Sequence, residues 1–187
     1  MKLKTALTIT ALLCTLQIAF SQENNPQAAA EVLNSALRKA KSEKKSVLLM
    51  FHASWCGWCH KMDASLKDPS VKSYFDKNYV IADIVVYESK GKENLENPGA
   101  ADLLKKYNNA DQGLPTWLIF DAKGNLLADS QMRPEGIAQT TKGENVGCPA
   151  KQEEVAYFVS TLKKSSKLNE KELEQITTVF RKNEIKR

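Results

Sequence analysis

Residues 46–66 read SVLLMFHASWCGWCHKMDASL, an apolar run that passes straight into two cysteines spaced C-x-x-C and then into helix-forming residues. The run from Ser46 to His52 shows no polar alternation, which predicts a strand buried on both faces. A strand that delivers Cys56 and Cys59 to the start of a helix has a chemical consequence. The first helical turn offers unpaired amide groups and the positive end of the macrodipole. Cys56 is therefore expected to carry a favoured thiolate and to be the attacking thiol. Cys59, one turn further along the same face, is placed to attack a mixed disulfide formed at Cys56. The same pair is also compatible with metal binding or with plain packing.

Working outward, PQAAAEVLNSALRKAKSEKK from Pro26 predicts an opening helix, with Val32, Leu33, Ala36, Leu37 and Ala40 on one face. After the cysteines, Asp68 and Pro69 break and restart a helix. The apolar run YVIADIVVY (79–87) then predicts a second buried strand. Strand, helix-rich crossover and strand in series predict a βαβ unit with parallel pairing. The polar segment from Glu88 to Pro98 reads as a loop and AADLLKKYN as a short helix. PTWLIFDAKGNLLADSQ predicts a hairpin turning at Ala122–Asn125. From Met132 to Pro149 there is little periodicity, and a loop that long in a compact domain is usually functional or mobile. Two helices are expected after it. The second has Asn169 as N-cap, Glu172 three residues on, and an apolar stripe of Leu173, Ile176 and Phe180.

The first residues, MKLKTALTITALLCTLQIAFSQENN, combine Lys2 and Lys4 with an apolar run from Ala6 to Phe20 and small residues at Ala19 and Ser21. That pattern predicts a secretory signal peptide over 1–21, cleaved after Ser21. The apolar run is shorter than the roughly 20 residues a bilayer span needs, so no retained membrane span is expected. Loss of the leader takes the net charge from +5 to +3. With acidic and basic residues interleaved, the sequence offers no case for nucleic acid. Of the four cysteines, Cys14 leaves with the leader, and Cys56, Cys59 and Cys148 would remain in a compartment that permits disulfides. An odd count leaves at least one thiol unpaired or exchanging.

WCGWCHKMD after a buried strand, with GLPTWLIFD downstream, resembles the thioredoxin superfamily over about Ser46 to Leu162. Within it, the chain looks like the secreted and periplasmic branch that includes the C-terminal domain of the DsbD reductase, and like thioredoxin-like domains carrying C-x-W-C-H. The resemblance implies an α/β thioredoxin-like fold: a central mixed sheet of about four strands flanked by helices, with an extra C-terminal helix. It divides the chain into the leader, a thioredoxin-like domain over 22–165 and a helical extension over 166–187. It implies a thiol–disulfide oxidoreductase acting on protein thiols and disulfides, recharged by a membrane electron donor of DsbD type, with no cofactor beyond the Cys56–Cys59 pair. Pro115 stands where the family has its cis-proline, and X-Pro is the bond at which cis is tolerated. Beside it, Leu114 would offer backbone hydrogen bonds to an extended substrate, and Thr116, Gly57 and Trp58 would line the binding surface. Trp55 matches the Trp that covers the family's site, and Trp58 would add an exposed apolar patch for docking.

One departure bears on mechanism. The family's buried acid, six residues before the first cysteine, is replaced by Met50. Asp83, inside the second strand, is expected to take over as proton acceptor for Cys59. The plainer reading, since no strand is visible before the opening helix, puts that strand at the sheet edge with Asp83 simply solvated. Asp63, four residues after Cys59 on the same helix face, is the competitor. His60, next to Cys59, should point away as a surface or packing residue. Cys148 lies at a junction that the family places beside the groove. A free loop thiol is the plainer reading, and a third participating thiol the sharper one.

Two rival functions stay open at this level. Cys56, Cys59 and Cys148 with His52 or His60 would give a thiolate site for copper or zinc. No second C-x-x-C, paired histidines or Met-rich tract accompanies them. A redox-inactive peptide-holding domain is the other rival, although both cysteines are intact.

Overall fold

The structure, a computed structural model, describes residues 25–185. The expected signal peptide and Cys14 lie outside the described residues. The element order is α1 (Ala29–Glu43), β1 (Ser46–His52), α2 (Gly57–Leu66), α3 (Lys72–Asn78), β2 (Tyr79–Val85), α4 (Ala100–Lys106), β3 (Thr116–Phe120), β4 (Leu126–Asp129), β5 (Gln131–Met132), β6 (Glu144–Asn145), α5 (Gln152–Ser165) and α6 (Glu170–Arg181).

Four strands form one mixed sheet in the order β2-β1-β3-β4. β1 pairs in parallel with β2 and antiparallel with β3. β1 and β3 are central, and their residues from Val47 to Phe51 and from Thr116 to Phe120 are all buried. The period of two sends alternate side chains to opposite layers. Leu48, Met50, Trp117 and Ile119 pack with α2, α3, α5 and α6, whereas Val47, Leu49, Phe51, Leu118 and Phe120 pack with α1 and α4.

β2 departs from the expected second buried strand. It closes one edge of the sheet, and Ile81 and Asp83 are exposed there. An unbroken apolar run such as YVIADIVVY does not distinguish a central strand from an edge one. A second difference is the short ribbon of β5 with β6 inside the segment read as aperiodic. Its strands are two residues each, too short to leave a periodic signal.

Polar contacts brace that ribbon. Arg133 forks onto Asp129 at 2.7 and 2.9 Å, and the Tyr157 hydroxyl donates to the Asp129 and Gln131 carbonyls. At the other end of the chain, α6 starts on a reciprocal box: Glu172 N–H donates to Asn169 Oδ1 at 3.0 Å and Asn169 N–H to Glu172 Oε2 at 2.9 Å. Its Leu173, Ile176, Val179 and Phe180 are buried in the same core as Trp117 and Phe158. The helix thus packs on its own domain.

Candidate active site

β1 ends at His52, and the chain turns through Ala53–Cys56, closed by the Cys56 N–H on the Ala53 carbonyl at 3.1 Å. Cys56 is the N-cap of α2. It is disulfide-bonded to Cys59, with S–S at 2.08 Å. The Cys59 N–H donates to Cys56 Sγ at 3.1 Å. This sulfur therefore occupies the place of a capping oxygen and shares the Cys59 amide of the first turn with the Cys56 carbonyl, which lies 3.0 Å from the same N–H. Negative charge at that position is favoured by the same amides and by the helix dipole. Both cysteines are nearly covered, at 3 and 8 % exposure. The amide donated to sulfur, and not exposure, sets the two thiols apart.

The Leu114–Pro115 peptide is cis. Leu114 packs against Ala53, Cys56 and Cys59. Neither its N–H nor its C=O is hydrogen-bonded to another described residue, which leaves an open backbone edge beside the disulfide. Thr116 is buried and donates to the Gly113 carbonyl at 2.9 Å. A contact that the sequence did not suggest holds this loop from outside. The Asn145 amide donates to the Gly113 carbonyl and, at 3.2 Å, to the Pro115 carbonyl. Gly147 follows with φ of +49°, and a Cβ there would stand 3.1 Å from the Pro115 carbonyl oxygen. Only glycine combines that conformation with so close an approach. The stretch read as an aperiodic loop thus returns to buttress the cis-proline.

Two clefts flank the disulfide. One, of about 580 Å³, is lined by Trp58, Leu114, Asn145, Cys148, Glu154 and Ile185 among others. Trp58 is 41 % exposed, with the Lys61 ammonium 4.4 Å from its ring centre. Gly57 opens α2, and a side chain there would meet nothing within 4 Å. Cys148 is a free, buried thiol whose pKa is pushed up to about 12, chiefly by burial. Trp55 stands outside both clefts, 55 % exposed, its indole N–H donating to the Tyr87 carbonyl at 2.8 Å.

The second cleft, of about 550 Å³, brings together Cys59, His52, His60, Asp63, Asp83 and Pro115. Met50 and Asp83 are partners across β1 and β2. With His52 and Ile81 they share the sheet face towards α2. Asp83 is open to solvent on its outer side, and partial desolvation against the cleft wall raises its carboxyl above its ordinary value; His52 and Lys67 oppose this and nearby Asp63 adds to it. Asp63 lines the same cleft and, like Asp83, is exposed, but it is paired with Lys67 at 2.7 Å. His60 is exposed, and its Nε2 lies 3.2 Å from the Ser54 carbonyl.

Among the described residues, no group of three or more His, Cys, Asp or Glu side chains is placed to hold a metal. Nor is any helix there long and apolar enough to cross a membrane.

Against known proteins, residues 33–142 match the family described as the thioredoxin-like domain. Protein disulfide isomerase-like 1-3 of Oryza sativa subsp. japonica is 30 % identical over 124 residues, 65 % of this chain and 20 % of that protein. The thiol:disulfide interchange protein DsbD of Vibrio vulnificus strain CMCP6 is 30 % identical over 121 residues, 63 % of this chain and 18 % of that one. For the disulfide bond reductase DsbH of Chlamydia pneumoniae the identity is 30 % over 122 residues, covering 63 % of this chain and 73 % of that one. The chain spans only about a fifth of the length of the first two.

Proposed function

The chain belongs to the thioredoxin-like domain family, and from that premise we propose that it is a thiol–disulfide oxidoreductase of the cell envelope acting on protein substrates. The observation that carries this reading is the Cys59 amide on Cys56 Sγ at the N-terminus of α2, beside the cis-proline. Reduced, Cys56 attacks a substrate disulfide as thiolate and forms a mixed disulfide, releasing one substrate thiolate. Cys59 then gives up its proton and attacks Cys56 Sγ. The Cys56–Cys59 bond re-forms, the second substrate sulfur leaves, and two electrons have passed to the substrate. Asp83 accepts the Cys59 proton; its raised pKa and its place in the cleft that reaches Cys59 support this over Asp63, which is held by Lys67.

An extended substrate segment lies along Leu114 and Pro115, using the unpaired backbone groups of Leu114, with Trp58 as apolar contact. Electrons come from a membrane donor of DsbD type, and the chain acts in the periplasm or outside the cell once the leader is removed. It works as a reductase or isomerase and uses no cofactor besides the cysteine pair. The name of the DsbH relative, a disulfide bond reductase, supports this direction of flow.

The test is the reduction potential of the Cys56–Cys59 pair against glutathione, in a Cys148→Ala background so that one couple titrates. A value near roughly −270 mV is expected of a reductase. One near roughly −120 mV would reverse the electron flow. A pair that exchanges with neither glutathione nor a protein disulfide would overturn the reading.

A further inference from the structure

Three hydrogen bonds tie the turn that precedes Cys56 to residues 87 and 88, which lie outside the cysteine motif. The Ser54 N–H donates to Glu88 Oε1 at 2.5 Å, and the Ser54 hydroxyl to Glu88 Oε2 at 2.8 Å. The Trp55 indole N–H donates to the Tyr87 carbonyl at 2.8 Å. Ser54 and Trp55 are the two corner residues of the turn that the Cys56 N–H closes on Ala53. Both corners are therefore held from the far side of the β1–β2 pair.

The holding segment is itself fixed. Tyr87 has φ of +57°, a left-handed conformation that costs a bulky residue free energy and persists only where its surroundings impose it. The Val86 N–H donates to the His52 carbonyl at 2.9 Å and the Glu88 N–H to Glu96 Oε1 at 2.8 Å. Ser54, through its backbone N–H first, keeps the Glu88 carboxyl below its ordinary value, so the acceptor stays ionised at neutral pH.

We infer that Glu88 is a positioning residue for the attacking thiol: its carboxylate grips both donors of Ser54 and fixes the turn that seats Cys56 on the first amides of α2. The inference rests on the reading of Cys56 as the attacking thiol. A turn left free would let Cys56 Sγ leave the Cys59 amide for part of the time. Stabilisation of the thiolate would then be lost in proportion.

The experiment is the pH profile of Cys56 alkylation in the reduced full chain, read by mass spectrometry at that residue. Glu88→Ala should move the midpoint up by about 0.5 pH unit, the scale of a helix-terminus interaction. Glu88→Gln keeps an oxygen for the Ser54 N–H and gains an amide for its hydroxyl, so it should bring the midpoint back to that of the native chain or below. Ser54→Ala, which removes one of the two contacts, should give a smaller rise and covers the case in which Glu88→Ala fails to fold. Coincident profiles for the native chain, Glu88→Ala and Ser54→Ala would overturn the inference. A Glu88→Gln profile displaced upward like that of Glu88→Ala would do so as well, since a side chain able to keep both Ser54 contacts would then fail to hold the thiol. The measurement needs no substrate. A chain that exchanges no disulfides but shows these shifts would remove the oxidoreductase reading and leave the clamp in place.

Discussion

Met50 on β1 stands directly across from Asp83 on β2, so the position that lacks an acid has one as its neighbour on the adjoining strand. Asp83, though open to solvent at the sheet edge, titrates above its ordinary value because the cleft wall partly desolvates its charge. A carboxyl raised on folding favours the folded state while protonated and loses that contribution as pH rises through its folded value. Asp83→Asn is therefore expected to raise the melting temperature at pH 7, with the gain fading towards the ordinary carboxyl value of 3.8. It should also slow release of the mixed disulfide by Cys59. Paired calorimetry and quenched-exchange kinetics check this; a variant no more stable at pH 7 and equally fast would remove Asp83 from the site.

Cys148 should be silent in the folded, reduced protein. Burial holds its pKa at about 12, so at pH 8 almost none is thiolate, and the thiolate is the reactive form. Thiol titration is expected to find Cys56 reacting fast and Cys148 only after denaturant is added. Rapid labelling of Cys148 without denaturant would contradict the buried placement.

Arg133 and Asp129 form a two-pronged pair with side chains only 6 and 0 % exposed. Removing one partner leaves the other charge buried and uncompensated, at a cost of about 3–5 kcal/mol. Arg133→Ala should lower the denaturation midpoint accordingly without changing the slope. A loss under about 1 kcal/mol, the range of exposed pairs, would mean that water reaches the carboxylate.

Asn145 is expected to act on substrate binding through the cis-proline loop. Asn145→Ala removes the donors to the Gly113 and Pro115 carbonyls and should cost about 1–2 kcal/mol of stability. In disulfide exchange with a protein substrate, KM should rise more than kcat falls, because the loop offers backbone to the substrate while the cysteines are held elsewhere. An unchanged KM would separate the loop from the substrate surface.

The parts of the fold that were legible in the sequence are those with a local signature. Ser46–His52 announces a buried strand by its unbroken apolar run, Asp68-Pro69 a helix break, Ala122–Asn125 a turn, and Asn169 with Glu172 a capping box. The cysteine pair announced its place at a strand–helix junction in the same way. What stayed hidden depends on residues far apart in the chain. Asn145 reaches the Pro115 carbonyl across 30 positions and Glu88 reaches Ser54 across 34, and neither contact leaves a period or spacing to read. The edge place of β2 was legible only in part: the lack of a strand before α1 allowed it, and the strand's own residues did not decide it. Strand order is set by which neighbours pair, and YVIADIVVY looks the same in either position.

The match to the family ends at residue 142, whereas α5 and α6 lie beyond it and supply Val155, Phe158, Leu162, Leu173, Ile176, Val179 and Phe180 to the core beneath the sheet. The boundary drawn by likeness is therefore not a boundary of cooperativity. A protease cutting near residue 142 would not trim this protein to a minimal domain. It would take α5 and α6 from the face they share with α2 and α3, and residues 25–185 should melt as a single unit.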